Sequence, residues 1–140
     1  EFYLLYAEML NEVDPTNADV LKYANLVRSR AGLEDLEVLN PAIEGNQALQ
    51  REAIRRESRI ELATEGQRYF DVRRWMIADK APGQGGQGGE FHGMNVDQPQ
   101  PAYYTRTKLQ TRSFKNKNYL YPIPLDEIKR SDVLVQNPGW

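Results

Sequence analysis

One segment constrains the fold more than any other part of the chain, and it occupies residues 51–75, REAIRRESRIELATEGQRYFDVRRW. It carries seven arginines and five carboxylates, so a helix built from it must find partners for many charges. The long helix that contains its first part also includes Leu49, and on a helical wheel Leu49, Ala53 and Ile60 form one apolar line, while Ile54 and Leu62 point elsewhere. This pattern predicts a long helix covered on more than one face. Gly66 predicts a break, followed by a second, shorter helix over 68–78.

Two rows of like charge follow the long helix at a spacing of four residues. The basic row is Arg51, Arg55 and Arg59, and the acidic row is Glu57, Glu61 and Glu65. Like charges at this spacing repel by roughly a few tenths of a kcal/mol per pair, so each row is expected to meet opposite charge from another segment. The predicted inter-helix network comprises Glu57, Arg59, Glu61, Glu65, Arg68, Asp71, Arg73 and Arg74. The alternative is a charge run exposed to solvent.

Composition narrows the classes of protein. A chain of 140 residues buries a core of ordinary size, and its net charge of -2 gives no reason to expect nucleic acid as a partner. The absence of cysteine excludes a disulfide framework and a thiolate metal site. No apolar run approaches membrane-spanning length. Helical periodicity is already running at Phe2, and Glu1 is not a Met start, so we expect a piece of a longer chain.

The remaining segments predict a mostly α-helical fold. Apolar spacing predicts helices over 2–13 and 18–30, joined by a turn in which Thr16 or Asn17 caps the second helix and stopped by Gly32. Residues 36–45 are predicted to be a linker, with Asn46 capping the long charged helix. Six of the ten glycines lie in residues 81–101, which predicts a long loop. Alternation within 102–114 and 118–123 predicts short strands in a small peripheral sheet, and residues 125–130 a helical turn.

We therefore predict one domain in four parts. They are a helical hairpin (1–33) of the kind that builds helical repeats, a charged helix pair (46–79), a glycine-rich loop (80–102) and an irregular C-terminal section (103–140).

Candidate functional residues are few. Paired glutamates, Glu57 with Glu61 or Glu61 with Glu65, fit a glycan-cleaving enzyme, although salt-bridged structural carboxylates fit better. His92 is the single histidine and cannot form a zinc site without further ligands, so no metal site and no cofactor are predicted. Sugar rings stack on exposed aromatic rings, which makes Tyr103, Tyr104 and His92 the candidate ligand platform. The alternative is that these aromatic rings are buried under the loop.

The segment RESRIELATEGQRYFDVRRW at 56–75 resembles the C-terminal signature of the SusD/RagB family. The matching residues are Glu57, Arg59, Glu61, Leu62, Ala63, Glu65, Gly66, Arg68, Phe70, Asp71, Arg73, Arg74 and Trp75. Ser58 and Thr64 depart from the family pattern. LLYAEMLNE and LVRSRAGL resemble the family's tetratricopeptide-like helices, and YLYPIPLDEI and QNPGW resemble its closing motifs.

The resemblance implies a role as well as a fold. Proteins of this family are surface lipoproteins of the Bacteroidetes outer membrane that bind oligosaccharides or other nutrients and pass them to a TonB-dependent, SusC-like transporter. It implies no catalysis, a C-terminal position for this chain, and a lipid anchor upstream of it. Because the family's binding residues vary, none is carried over. Two alternatives are a glycan-cleaving enzyme that uses the glutamates and a helical scaffold that binds only protein.

Overall fold

The computed structural model describes residues 1–140 and contains six α-helices and one two-stranded sheet. The helices are α1 (Phe2–Val13), α2 (Asp19–Arg30), α3 (Leu36–Leu39), α4 (Gln47–Glu61), α5 (Gln67–Arg74) and α6 (Leu125–Arg130). The strands are β1 (Gly89–Met94) and β2 (Arg106–Arg112). About half of the chain is helical, which confirms the predicted fold class. No helix has the length and hydropathy needed to cross a membrane.

The chain divides into two compact units, Glu1–Arg68 and Tyr69–Trp140. The predicted charged helix pair, residues 46–79, contains the boundary between them. The first unit holds α1 to α4, and the second holds the sheet and α6.

Helices α1 and α2 form the predicted antiparallel hairpin, because local side chains satisfy the connecting turn. Asp14 Oδ1 accepts hydrogen bonds from Thr16 N at 3.1 Å and from Thr16 Oγ1 at 2.6 Å. Asn17 Oδ1 accepts from Asp19 N at 3.0 Å, which satisfies a free donor at the start of α2. Gly32, at φ 72°, supplies the left-handed residue after α2. The predicted cap at Asn17 and the stop at Gly32 are therefore confirmed.

The core of the first unit lies where α4 crosses the hairpin. Its buried apolar residues are Ala7, Val20, Leu21, Ala24, Leu36, Ile43 and Ile54. Asn46 Oδ1 accepts from Leu49 N at 3.2 Å and caps α4 as predicted. The predicted linker over 36–45 is more ordered than expected, because α3 and a 3-10 turn at Pro41–Ile43 bring Leu36 and Ile43 into the core.

The break after α4 and the end of α5 both come earlier than the sequence predicts. Helix α4 ends at Glu61, and the chain turns through left-handed residues at Thr64 (φ 74°) and Gly66 (φ 82°). Helix α5 ends at Arg74 because Met76, at φ 53°, closes it with the hydrogen-bond pattern of a left-handed cap.

The second unit contains the two-stranded sheet, in which β1 pairs antiparallel with β2. The prediction that 81–101 is entirely loop is wrong, since β1 lies within it. At Gly93 the Leu109 side chain lies close to the backbone, so that a Cβ there would lie 2.7 Å from Leu109 Cδ1 and would displace this exposed side chain. The predicted strand over 118–123 is also wrong: residues Asn116–Tyr119 form a 3-10 turn and the following residues pair with no strand. The strand within 102–114 and the helical turn over 125–130 are confirmed as β2 and α6.

Candidate functional site

Two glutamates of the acidic row, Glu57 and Glu61, lie on α4 and are bound by arginines of α2. Arg28 Nη1 donates to Glu57 Oε1, and both side chains are 9% exposed. Arg28 Nε also donates to the Glu34 carbonyl at 2.8 Å. Arg30 pairs with Glu61 at the surface, where the side chain of Arg30 is 70% exposed. Glu57 therefore holds α4 to α2 from the interior, while Glu61 does so in contact with water.

The basic row of α4 meets a carboxylate of α1. Arg51 Nε and Nη2 donate to the two carboxylate oxygens of Glu12 at 2.6 and 2.5 Å, the two-pronged geometry that suits a guanidinium. This hydrogen bonding from Arg51 lowers the pKa of Glu12 below its ordinary value of 4.5. Helix α4 is thus tied to α1 and to α2 by charges of opposite sign.

The other residues of the predicted network have different surroundings. Arg74 Nη2 donates to Asp71 Oδ1 at 3.0 Å, one turn back along α5. Arg59 and Glu65 are exposed and form no ion pair, and Arg68 is half-buried. Of the predicted network, Glu57 and Glu61 thus contact the hairpin, whereas Asp71 and Arg74 pair within α5.

A groove of about 480 Å³ runs beside the buried ion pair. Its apolar walls include Leu36, Ile43 and Ile60. Of the three glutamates considered for catalysis, Glu57 lines this groove, and Glu61 and Glu65 do not. The structure therefore brings no two of them together in this groove.

The two candidate tyrosines lie in the connection between β1 and β2. Residues Ala102–Tyr104 form a 3-10 turn, and Asn95 N donates to the Tyr103 and Thr105 carbonyls at 3.1 Å, which closes the loop. Tyr103 is half-buried, and its ring lies edge-on to Tyr104 with centroids 5.3 Å apart. Tyr104 is 63% exposed, and its hydroxyl accepts from Gln100 Nε2 at 3.0 Å. One ring is thus open to solvent and supported from the side.

His92 lies on strand β1 of the sheet. It forms no hydrogen bond or ring contact with Tyr103 or Tyr104. It pairs in register with Lys108, and its Nε2 lies 3.7 Å from Glu90 Oε2. Lys108 Nζ donates to Glu90 Oε1 at 3.0 Å, and this bond lowers the pKa of Glu90. These three side chains form a polar, solvent-facing group, because residues 90 and 92 point to the exposed face of β1.

A second groove, in the second unit, was missed by the sequence interpretation. Its volume is about 420 Å³, and it is lined by Arg73, Met76, Asn116, Lys117, Tyr119, Leu120 and Pro138. The sequence predicts Arg73 as part of the acid–base network, but its guanidinium carbon lies 3.5 Å from the centroid of the Tyr69 ring. The sequence does carry a signal, since each cation is flanked within a few residues by aromatic side chains. That signal does not reveal that the two segments meet.

Comparisons with known proteins agree with this architecture. The sequence profile of the SusD family matches residues 1–140. SusD-like protein P2 of Formosa agariphila is 32% identical over 143 aligned residues, which cover 100% of this chain and 24% of that protein. The crystal structure of a SusD-like protein from Bacteroides fragilis superimposes with a TM-score of 0.80 at 37% identity, covering 99% of this chain and 24% of that one.

A third relative, the protein named BT4246, has a TM-score of 0.79 at 28% identity, covering 99% of this chain and 22% of its own. The chain thus spans about a quarter of the length of the proteins it matches. The match over all 140 residues and the shared helical fold lead to one conclusion: this chain belongs to the SusD family.

Proposed function

We propose that this protein binds an oligosaccharide or another nutrient at the cell surface, without catalysis, and delivers it to a TonB-dependent outer-membrane transporter of the SusC type. Membership of the SusD family over residues 1–140 supports this proposal. The observation on the chain itself that carries it is the exposed ring of Tyr104, 63% accessible and braced by Tyr103. Such a ring offers a flat apolar face to the C–H groups of a sugar.

Placement at the surface of the outer membrane, by a lipid anchor upstream of residue 1, belongs to the same proposal. It accords with the surface role of the family. Labelling of intact cells with an antibody to the full-length protein tests it, and signal only after cell lysis contradicts it.

Binding is tested by calorimetric titration of the full-length protein against panels of glycans and peptides. Tyr104→Ala is expected to weaken glycan binding by about two- to twelvefold, since ring stacking contributes roughly 0.5–1.5 kcal/mol. Tyr104→Phe keeps the ring and is the matched control, with affinity expected near that of the parent protein. Failure to bind any nutrient class, together with turnover of one, overturns the proposal.

The enzyme alternative makes a separate prediction about Glu61. Glu61→Gln abolishes turnover if this glutamate is catalytic. If the role of Glu61 is its pairing with Arg30, the same change alters stability alone.

Delivery is tested by affinity capture of the tagged full-length protein from solubilised outer membranes. Recovery of a TonB-dependent transporter supports delivery. Recovery of a partner unrelated to transport, with no small ligand bound in titration, favours the protein-binding scaffold instead.

A further inference from the structure

The groove of the second unit carries positive charge that no carboxylate neutralises. Arg73 Nη1 donates to two neutral acceptors, the Tyr69 carbonyl at 2.9 Å and Gln87 Oε1 at 3.2 Å. Lys117 forms no ion pair either. This contrasts with α4, where arginine and glutamate are matched. Two cations facing one cavity without counter-charge attract an anion.

Both cations are held in place by aromatic rings. The Arg73 guanidinium lies between Tyr69, with its centroid 3.5 Å from the guanidinium carbon, and Phe114, at 5.2 Å. Lys117 Nζ lies 4.1 Å from the Trp140 ring, and the indole N–H donates to the Lys117 carbonyl at 2.9 Å. Cations fixed in this way lose little conformational freedom when they bind a ligand.

Glycine at 139 makes the second of these stacks possible. A Cβ at this position would lie 3.1 Å from Lys117 Cβ, and its φ of 85° is one that glycine adopts readily. The chain therefore places Trp140 directly after a residue that lets the lysine stem approach.

One carboxylate, that of Asp79, is hydrogen-bonded to Tyr119, which lines the groove. Asp79 Oδ1 accepts from the Tyr119 hydroxyl at 2.6 Å, and this hydrogen bond lowers the pKa of Asp79. Lys80 Nζ lies 3.6 Å from the other oxygen. The charge of Asp79 is thus countered outside the groove and does not cancel that of Arg73 and Lys117.

Apolar side chains form part of the remaining lining of the groove, and one of them, Met76, has a left-handed backbone conformation. Met76 has a φ of 53°, which is uncommon for a residue with a side chain, and it stays 59% exposed. Strain of this kind is concentrated at functional sites. Met76, Leu120 and Pro138 offer an apolar surface next to the cations. The groove therefore suits a ligand with an anionic group and an apolar ring face.

We propose that this groove binds an acidic saccharide unit, with Arg73 and Lys117 as partners of its carboxylate or sulfate ester and Met76 against its ring. The saccharide part rests on the proposed nutrient-binding function, whereas the preference for an anion stands on the charges of the groove.

The test is calorimetric titration of the full-length protein with three oligosaccharides of equal length, one neutral, one containing uronate and one sulfated. An acidic ligand is expected to bind at least about tenfold more tightly than the neutral one, from a charge-assisted contact. Its affinity is expected to fall as salt concentration rises. The two acidic ligands distinguish a carboxylate-binding groove from a sulfate-binding one.

The variant Lys117→Gln is expected to lower the affinity for the acidic ligand about tenfold and to leave the affinity for the neutral ligand unchanged. Lys117→Arg keeps the charge and should restore binding. Lys108→Gln removes the same charge from a lysine of the same unit that is paired with Glu90, and it should leave the preference for acid intact. Met76→Gly is expected to weaken both acidic and neutral ligands at this groove.

Equal affinity for neutral and acidic ligands overturns the inference and leaves the proposed function standing. Equal losses from Lys117→Gln and Lys108→Gln overturn it as well, because the preference then reflects general surface charge. No binding of any saccharide or other nutrient overturns the proposed function together with the saccharide part of this inference.

Discussion

Two ion pairs join α2 to α4, one buried and one exposed to solvent. Comparing them tests whether burial determines how much an ion pair contributes to the free energy of unfolding. The perturbation is Glu57→Gln, which preserves the shape of the side chain and removes its charge. The Arg28 guanidinium then stays buried without a carboxylate, and it keeps only neutral acceptors, the amide oxygen of the new side chain and the Glu34 carbonyl at 2.8 Å. Removing one partner of a buried pair costs about 3–5 kcal/mol. The retained carbonyl bond places the expected loss near about 3 kcal/mol.

The matched control is Glu61→Gln. The side chains of Arg30 and Glu61 are 70% and 25% exposed, against 9% for each member of the buried pair. Exposed ion pairs contribute about 0–1 kcal/mol, so this variant is expected to lose less than about 1 kcal/mol.

Native-state hydrogen exchange of the full-length protein, followed on peptides that cover α2 and α4, measures both losses locally. Glu57→Gln should raise the exchange of these amides by about a hundredfold, and Glu61→Gln by less than about fivefold. Equal changes in the two variants would refute the reasoning from burial. A double variant, Arg28→Met with Glu57→Leu, should recover most of the loss, because a buried pair replaced by apolar side chains is often neutral in stability.

Three further changes give expected outcomes with simpler assays. In Gly86→Ala the new Cβ would lie 1.9 Å from the Lys80 carbonyl oxygen, so we expect the free energy of unfolding, measured by thermal melts, to fall by about 1–3 kcal/mol or more. Its control is Gly83→Ala, which should be tolerated because a Cβ there would have no atom within 4 Å. The pairing of Arg51 with Glu12 lowers the folded pKa of this glutamate below 4.5. The contribution of this ion pair to the free energy of unfolding is therefore fully present above pH 4.5 and is lost as the pH falls through the folded pKa of Glu12. Glu12→Gln should lower the free energy of unfolding by under about 1 kcal/mol at neutral pH, and by less in melts at acid pH. Met76→Gly relieves a left-handed φ of 53° and should raise stability by about 1 kcal/mol in the same melts.

The helical part of the fold was predictable because its determinants are local. Residues 2–13 and 18–30 were predicted as helices from apolar spacing, and the structure has them at Phe2–Val13 and Asp19–Arg30. Asn17 and Asn46 act on backbone donors two or three residues ahead. Interactions at such short range appear in the sequence itself.

The sheet was harder to predict because a strand depends on its partner. Strand β1 reads GEFHGM, in which glycines at 89 and 93 hide the alternation of apolar and polar residues. Its value as a strand comes from pairing with β2, and a register irregularity between Phe91 and His92 interrupts that pairing. The tyrosine-rich segment over 118–123 has the better strand composition, yet no partner pairs with it.

Charge partners were the least predictable feature, because tertiary packing selects them from many candidates. The pattern of α4 predicts cations beside its glutamates, but any of the arginines would satisfy that prediction. The structure places Arg28 and Arg30, which were absent from the predicted set, on Glu57 and Glu61. Arg73, which was in that set, instead lies on an aromatic ring.

This last difference changes what the family signature contributes to function. A guanidinium neutralised by a glutamate is a structural element, and its charge is no longer available to a ligand. Arg73 is held by ring faces and neutral acceptors, so it is fixed in position and keeps its full charge toward the groove. The same DVRRW segment therefore orders α5 and presents a cation beside Lys117. A groove assembled in this way favours acidic ligands through charge that the fold itself leaves unpaired.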